Sequence, residues 1–119
     1  MLAASDVISY HHYGNLDSQR AAIATYRTEG RPVICTEWMA RPTGSRWDTD
    51  LPLFKSERVD CFCWGLVNGR TQAQFHWNSK AGASEPQVWF HDLFHRDGRP
   101  YDAVEHEIIH QILTPKAAR

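Results

Sequence analysis

Short apolar stretches alternate with amphipathic ones along this chain, and turn residues separate them. Runs rich in β-branched and aromatic residues predict three strands, at 6–11, 32–37 and 60–67. The third run is apolar at nearly every position, which is typical of a parallel strand covered on both faces. The pattern therefore predicts a small sheet of short strands.

The segments between the strands carry apolar residues at helical spacing. The first predicted helix has Asp17 as its N-cap and ends before Gly30, and the second covers about 51–58. A long irregular segment, 68–85, precedes a last helix at 102–113 that begins with a capping box. Because helical connections join parallel strands, the chain is predicted to be an α/β domain with a parallel sheet.

Length and charge exclude several classes of protein. With 119 residues, the chain fits one domain, 1–119, and is well short of the ~250 residues of a closed eight-stranded α/β barrel. The net charge of −1 provides no basic surface for nucleic acid or an anionic membrane. No apolar run approaches a membrane span and no secretory signal is visible. We therefore expect a cytoplasmic protein with neither of these partners.

The cysteines and histidines do not form a metal-binding spacing. Cys61 and Cys63 share one face of a strand pattern and are predicted to be small core residues. Two histidine pairs stand four residues apart, His91 with His95 and His106 with His110. A zinc site needs further ligands, and none is suitably spaced. We expect no metal and no cofactor.

The second predicted strand ends in a carboxylate followed by an aromatic residue, in the segment Pro-Val-Ile-Cys-Thr-Glu-Trp at 32–38. An ionised side chain beside a buried strand is costly unless it is paired, because a buried carboxylate requires partners. Glu37 is therefore the leading candidate for a catalytic residue. A solvent-exposed glutamate at the end of an edge strand is the structural alternative.

All three strands carry polar and aromatic residues near their ends. These are His11-His12-Tyr13 after the first, Thr36-Glu37-Trp38 after the second, and Cys63-Trp64-Gly65 in the third. The order resembles the last three strand ends of the barrel in clan A retaining glycoside hydrolases, the cellulase-like and β-galactosidase-like enzymes. The stretch 89–101 is also similar to the segment that precedes the final helix in that family.

The resemblance implies a partial (β/α)8 barrel of about three parallel β/α units that hydrolyses β-linked glycosides with retention. Glu37 matches the nucleophile of the family. Tyr13 and His11 match the aromatic hydroxyl that holds the nucleophile and the histidine two residues before it. Trp64 matches the aromatic platform on which the sugar lies.

The residue types suggest further contacts with a carbohydrate. His11 or His12 could bond sugar hydroxyls. Trp38, Trp64 and Trp77 offer flat apolar faces for the C–H side of a pyranose, although each could instead pack in the core.

The sequence departs from the family at the second carboxylate. The general acid/base of the family is a glutamate that follows an asparagine, and this chain has no Asn-Glu pair. A retaining mechanism needs two carboxyl groups ~5–5.5 Å apart. The candidates in predicted loops are Asp48, Asp50, Glu85 and Asp92, which the sequence does not rank.

Three parallel strands with helices on one side leave the other face of the sheet open to water. Uncovered apolar side chains forfeit ~1.5–3 kcal/mol each, and free strand edges invite pairing. The sequence therefore predicts a homo-oligomer, most simply a twofold dimer, that completes or covers the partial barrel.

Two other functions remain open. A catalytically inactive remnant of such a barrel would bind carbohydrate through the same aromatic residues or would serve structure alone. A doubly wound nucleotide-binding domain shares the β-α-β order, but it requires a Gly-rich phosphate loop. The corresponding loop here, 11–15, has one glycine among bulky residues. The expected partner is thus a carbohydrate.

Overall fold

Three short parallel strands form one sheet in the computed structural model, which describes residues 4–114. Strands β1 (Ile8–His11), β2 (Val33–Glu37) and β3 (Asp60–Cys61) lie in the order β1-β2-β3. Both neighbouring pairs are parallel. The predicted α/β class and the parallel pairing are confirmed.

Three helices accompany the sheet. Helix α1 (Leu16–Arg27) joins β1 to β2, α2 (Trp47–Glu57) joins β2 to β3, and α3 (Ala103–Leu113) follows a long irregular segment. A 3-10 turn at Arg41–Thr43 lies between β2 and α2. No helix within residues 4–114 combines the length and the apolarity needed to cross a membrane.

Helix α1 begins two residues earlier than the predicted cap. The side chain of Asn15 accepts the backbone N–H of Ser18 at 3.0 Å, whereas Asp17 lies inside the first turn. Ser18 is also held by His12, whose Nε2 lies 2.9 Å from the hydroxyl. The prediction of Asp17 was wrong because this contact with the strand end fixes the helix start at Asn15.

Helix α2 also begins earlier than predicted, at Trp47 instead of residue 51. Asp50 in its first turn accepts the backbone N–H of Arg46 at 2.7 Å, and Trp47 packs edge-on against Trp38 with ring centroids 4.8 Å apart. The polar residues before Leu51 have loop composition, so their helical structure depends on this tertiary packing. Leu51, Leu53 and Phe54 are buried, as the sequence predicts.

Strand β3 is much shorter than the predicted strand at 60–67. The backbone N–H of Phe62 still bonds Cys35 at 2.9 Å, but the chain then turns at Gly65, whose φ is +83°. A β-carbon at Gly65 would lie 2.7 Å from a carboxylate oxygen of Asp92, so this position admits only glycine. The extended run ends where Asp92 packs against it.

The core lies on one side of the sheet only. In β1, Ile8 and Tyr10 are buried against the helices, whereas Ser9 and His11 are exposed on the opposite face. Phe62 is 60% exposed, so the prediction that the third strand is covered on both faces was wrong. The molecule is accordingly flat, measuring 45 × 44 × 23 Å.

The three cysteines lie on the helix side of the sheet. Cys35 is buried, and Cys61 and Cys63 are partly buried against the core. Burial raises the pKa of all three thiols, which keeps them protonated. For Cys61 and Cys63, the predicted role as core residues is confirmed.

Helix α3 begins with one half of a capping box, and the other half of the motif binds a residue outside the helix. Asp102 accepts the N–H groups of Val104 and Glu105 at 2.7 and 3.1 Å. The carboxylate of Glu105, which would complete the box, bonds Arg41 instead. Val104 is exposed and so is Leu113, so the predicted apolar stripe is narrower than expected.

The side of α3 that faces the core carries three partly buried isoleucines, Ile108, Ile109 and Ile112. His106 and His110 are exposed to solvent, as the sequence predicts.

Candidate functional site

Glu37 ends β2 and is hydrogen-bonded by a tyrosine from the segment after β1. The phenol of Tyr13 donates to Oε2 of Glu37 at 2.6 Å. Nδ1 of His11 lies 3.4 Å from the same oxygen. The predicted contact between Tyr13 and Glu37 is therefore present, and Glu37 is partly buried as a paired group.

An irregularity in strand pairing places these residues together. Tyr10 pairs with Cys35 in regular register, but the next pair is His11 with Glu37, because one extra residue is accommodated between them. Bulges re-aim side chains at the ends of strands. This register shift sets His11 opposite the carboxylate.

The environment of Tyr13 keeps its hydroxyl protonated. Burial raises the pKa of Tyr13, and the hydrogen bond to the Glu37 carboxylate and the negative charge of that group raise it further. Tyr13 is therefore a permanent hydrogen-bond donor at physiological pH, and it holds Oε2 of Glu37 in one orientation.

A hollow of about 430 Å³ adjoins this cluster through Trp77, although Glu37, Tyr13 and His11 are not among the residues that line it. Trp64 and Trp77 contribute to its wall, and both indoles are largely exposed, at 54% and 64%. The edge of the Trp77 ring meets Tyr13 with centroids 5.0 Å apart, which connects the hollow to the Glu37 cluster. The remaining wall comes from residues 71–83 and from His91.

The irregular segment predicted at 68–85 thus forms most of one side of the hollow. Three backbone hydrogen bonds attach it to the rest of the chain, from Phe90 N–H to the Gln74 carbonyl, from His91 N–H to the Ala73 carbonyl and from Asn68 N–H to the Phe94 carbonyl, at 2.9, 3.1 and 2.8 Å. Its turns hold aromatic and polar side chains at the surface, among them His76 and Lys80.

Two of the predicted substrate-binding residues lie elsewhere. Trp38 is 1% exposed and packs between Trp47 and Phe54, so its ring faces the core and is closed to a sugar. His12 is engaged with Ser18 at the start of α1 and is not part of the wall of the hollow. For Trp38, the core-packing alternative is the correct one.

His91 is a residue of the hollow that the sequence analysis considered only as a metal ligand. Its ring lies 5.6 Å from that of Tyr13 and 6.1 Å from that of Trp77, measured between centroids. His95, the other member of the pair, packs edge-on against Trp89 instead. The only sequence signal was a histidine beside Trp89-Phe90, in a segment that resembles the approach to the family's last helix.

The candidate acids occupy structural positions. Asp48 pairs with Arg46 at the surface, and Asp50 caps α2. Glu85 is exposed and faces Asn68 at 3.4 Å. Asp92 is completely buried against Gly65, and burial raises its pKa.

None of these four carboxylates lines the hollow. Within residues 4–114, no group of three or more His, Cys, Asp or Glu side chains is arranged to hold a metal ion. The site is therefore a single carboxylate with a tyrosine and a histidine, next to a hollow with two exposed indoles.

No protein-family model matches this chain, and searches of curated proteins and of solved structures likewise found no match.

Proposed function

We propose that this chain is a retaining glycoside hydrolase in which Glu37 is the nucleophile and the hollow beside it binds the sugar. The observation that carries the proposal is the 2.6 Å hydrogen bond from Tyr13 to Glu37, adjacent to a hollow lined by exposed Trp64 and Trp77. Indole faces bind the C–H side of a pyranose, and polar groups around them bind its hydroxyls.

The reaction would take two steps. In the first, an oxygen of Glu37 bonds to the anomeric carbon while the glycosidic C–O bond breaks and a general acid protonates the leaving oxygen. In the second, water attacks the same carbon, its proton passes to the conjugate base of that acid, and Glu37 is released. Because Tyr13 and His11 engage Oε2, we assign Oε1 as the attacking atom.

A second candidate is carbohydrate binding without hydrolysis. It is favoured by one observation, that none of the candidate acids lines the hollow. Under the first proposal, the proton donor comes from a second copy of the chain. Under the second, the aromatic hollow binds the sugar and Glu37 acts only as a hydrogen-bond acceptor.

We propose further that the sheet is part of a (β/α)8-type barrel whose open face is covered by a second copy. Phe62 is 60% exposed on the open face of the sheet, and Leu66 is exposed beside an apolar groove of about 530 Å³ along α3. An apolar surface of this kind marks an interaction site.

Light scattering after size exclusion is expected to give twice the mass of the chain. Phe62→Asp is expected to give the monomer, and a folded monomer for the unaltered protein at micromolar concentration would reject the dimer.

Covalent labelling separates the two candidate functions. The reagents are dinitrophenyl β-glycosides of glucose, galactose, mannose and xylose, with fluorine in place of the hydroxyl next to the anomeric carbon. Dinitrophenolate leaves without protonation, so the first step needs the nucleophile alone. We expect one glycosyl ester per chain, located on the peptide that contains Glu37 by mass spectrometry.

Controls make the labelling result decisive. Glu107→Gln, which changes an exposed carboxylate on α3, should be labelled like the parent, and Glu37→Gln should take up no label. Binding of the sugars without any label would support the second candidate. Neither binding nor label from any of the four sugars would contradict both.

A further inference from the structure

His91 is held in one tautomer by the backbone. Its Nδ1 lies within hydrogen-bond distance of the carbonyl oxygen of Met39. A carbonyl oxygen can only accept, so Nδ1 carries the proton and the opposite nitrogen, Nε2, has a free lone pair in the neutral ring. Burial lowers the pKa of His91, which favours this neutral form.

The lone pair on Nε2 accepts no hydrogen bond from the part of the chain that the structure describes. His91 is buried, and no donor among residues 4–114 reaches its Nε2. Leaving a buried acceptor without a partner is costly, so such groups call for an explanation in a native structure. The tyrosine that approaches the ring, Tyr13, donates its hydrogen bond to Glu37 instead.

The ring of His91 forms part of the wall of the hollow, and the indole of Trp77 lies beside this ring. The Trp77 ring packs against the rings of Tyr13, Phe90 and His91, at centroid distances of 5.0, 4.7 and 6.1 Å. The Trp77 side chain is mostly in solvent and lies in the irregular segment 71–83.

We propose that Nε2 of His91 accepts a hydrogen bond from one hydroxyl of a sugar in the hollow, reached when the Trp77 ring turns aside. The inference rests on the proposed function in that the ligand is a carbohydrate. It adds a residue that selects among sugars, because a ligand without a hydroxyl at that position leaves the buried nitrogen unpaired.

The test uses a substitution that removes Nε2 and retains the bond to Met39. In His91→Asn, the side-chain amide N–H takes the place of Nδ1–H as donor to the Met39 carbonyl, while no acceptor occupies the position of Nε2. His95→Asn is the matched control, since His95 packs edge-on against Trp89 and is not part of the hollow. Circular dichroism checks that both variants keep the fold.

The ligands are the methyl β-glycosides of glucose, galactose, mannose and xylose, titrated against tryptophan fluorescence. For the tightest binder, His91→Asn is expected to weaken binding about fivefold to tenfold, which corresponds to one neutral hydrogen bond. His95→Asn is expected to bind as the parent does.

Monodeoxy derivatives of that glycoside supply the decisive measurement. One of them should bind the parent more weakly by the same factor and should bind His91→Asn no more weakly than the complete sugar does. If every derivative loses affinity equally for parent and variant, His91 does not receive a hydroxyl, although the hollow still binds sugar. If none of the four glycosides binds the parent, this inference and the proposed function both fail.

Discussion

Replacing Arg41 by alanine is expected to lower the free energy of unfolding by about 3 kcal/mol, because it leaves a partly buried carboxylate without its partner. The Arg41 side chain is only 8% exposed, and its guanidinium donates to both carboxylate oxygens of Glu105, with a shortest distance of 2.7 Å. It also donates to the backbone carbonyls of Trp89 and Asp92 at 3.1 and 3.2 Å.

Arg41 therefore joins three separate parts of the chain. It starts the 3-10 turn after β2, it contacts α3 through Glu105, and it lies 4.4 Å above the ring of Tyr101. Loss of the guanidinium removes its hydrogen bonds to α3 and to the segment 89–101 together. The expected loss is thus larger than for a typical surface substitution.

Urea unfolding followed by circular dichroism measures this effect through the midpoint at constant slope. Arg46→Ala is the matched control, because Arg46 pairs with Asp48 in solvent and its loss should leave the midpoint nearly unchanged. Equal midpoints for Arg41→Ala and Arg46→Ala would show that the Arg41 network does not hold the tertiary structure together.

Replacing Glu37 by glutamine is expected to reduce turnover of an unfluorinated dinitrophenyl β-glycoside by at least about 10²-fold, the scale on which a transition-state charge partner acts. An amide forms no ester with the anomeric carbon and carries no negative charge to oppose the oxocarbenium ion. The substitution keeps the shape of the side chain, and its carbonyl oxygen can still accept from Tyr13, so the fold should survive.

The controls for Glu37 are drawn from the same chain. Glu107→Gln alters an exposed carboxylate that accepts from Gln111, and it should retain full turnover. Tyr13→Phe removes the donor to Glu37 and should give an intermediate loss. Unchanged turnover in Glu37→Gln would remove Glu37 from the mechanism.

Much of the Glu37 cluster could be predicted from the sequence. Parallel strands present their carboxyl ends at one edge, so residues just after β1 and β2 must lie close together. The resemblance of the strand ends to those of clan A glycoside hydrolases implied that Tyr13 and His11 lie near Glu37, and the chain direction agrees with that contact. Neither supplied the register shift that aligns His11 with Glu37, because the extra residue is accommodated by backbone geometry.

The aromatic wall of the hollow was harder to predict. Trp38 and Trp64 both follow strands and have the same chemical character, yet Trp38 lies in the core and Trp64 in the hollow. What distinguishes them is the packing of α2, whose Trp47 and Phe54 enclose Trp38. His91 lies in the wall of the hollow because the segment 71–83 folds back over it, held by the bond from His91 N–H to the Ala73 carbonyl.

The sequence by itself determined the α/β class, the parallel pairing and the core role of Cys61 and Cys63. Each of these follows from periodicity along a few residues or from the chain direction between neighbouring strands, which are local properties. Only the tertiary structure decided the cap of α1, the short β3, the burial of Trp38, the Arg41 network and the unused nitrogen of His91. These depend on which distant side chains meet, and that is fixed by packing across the whole chain.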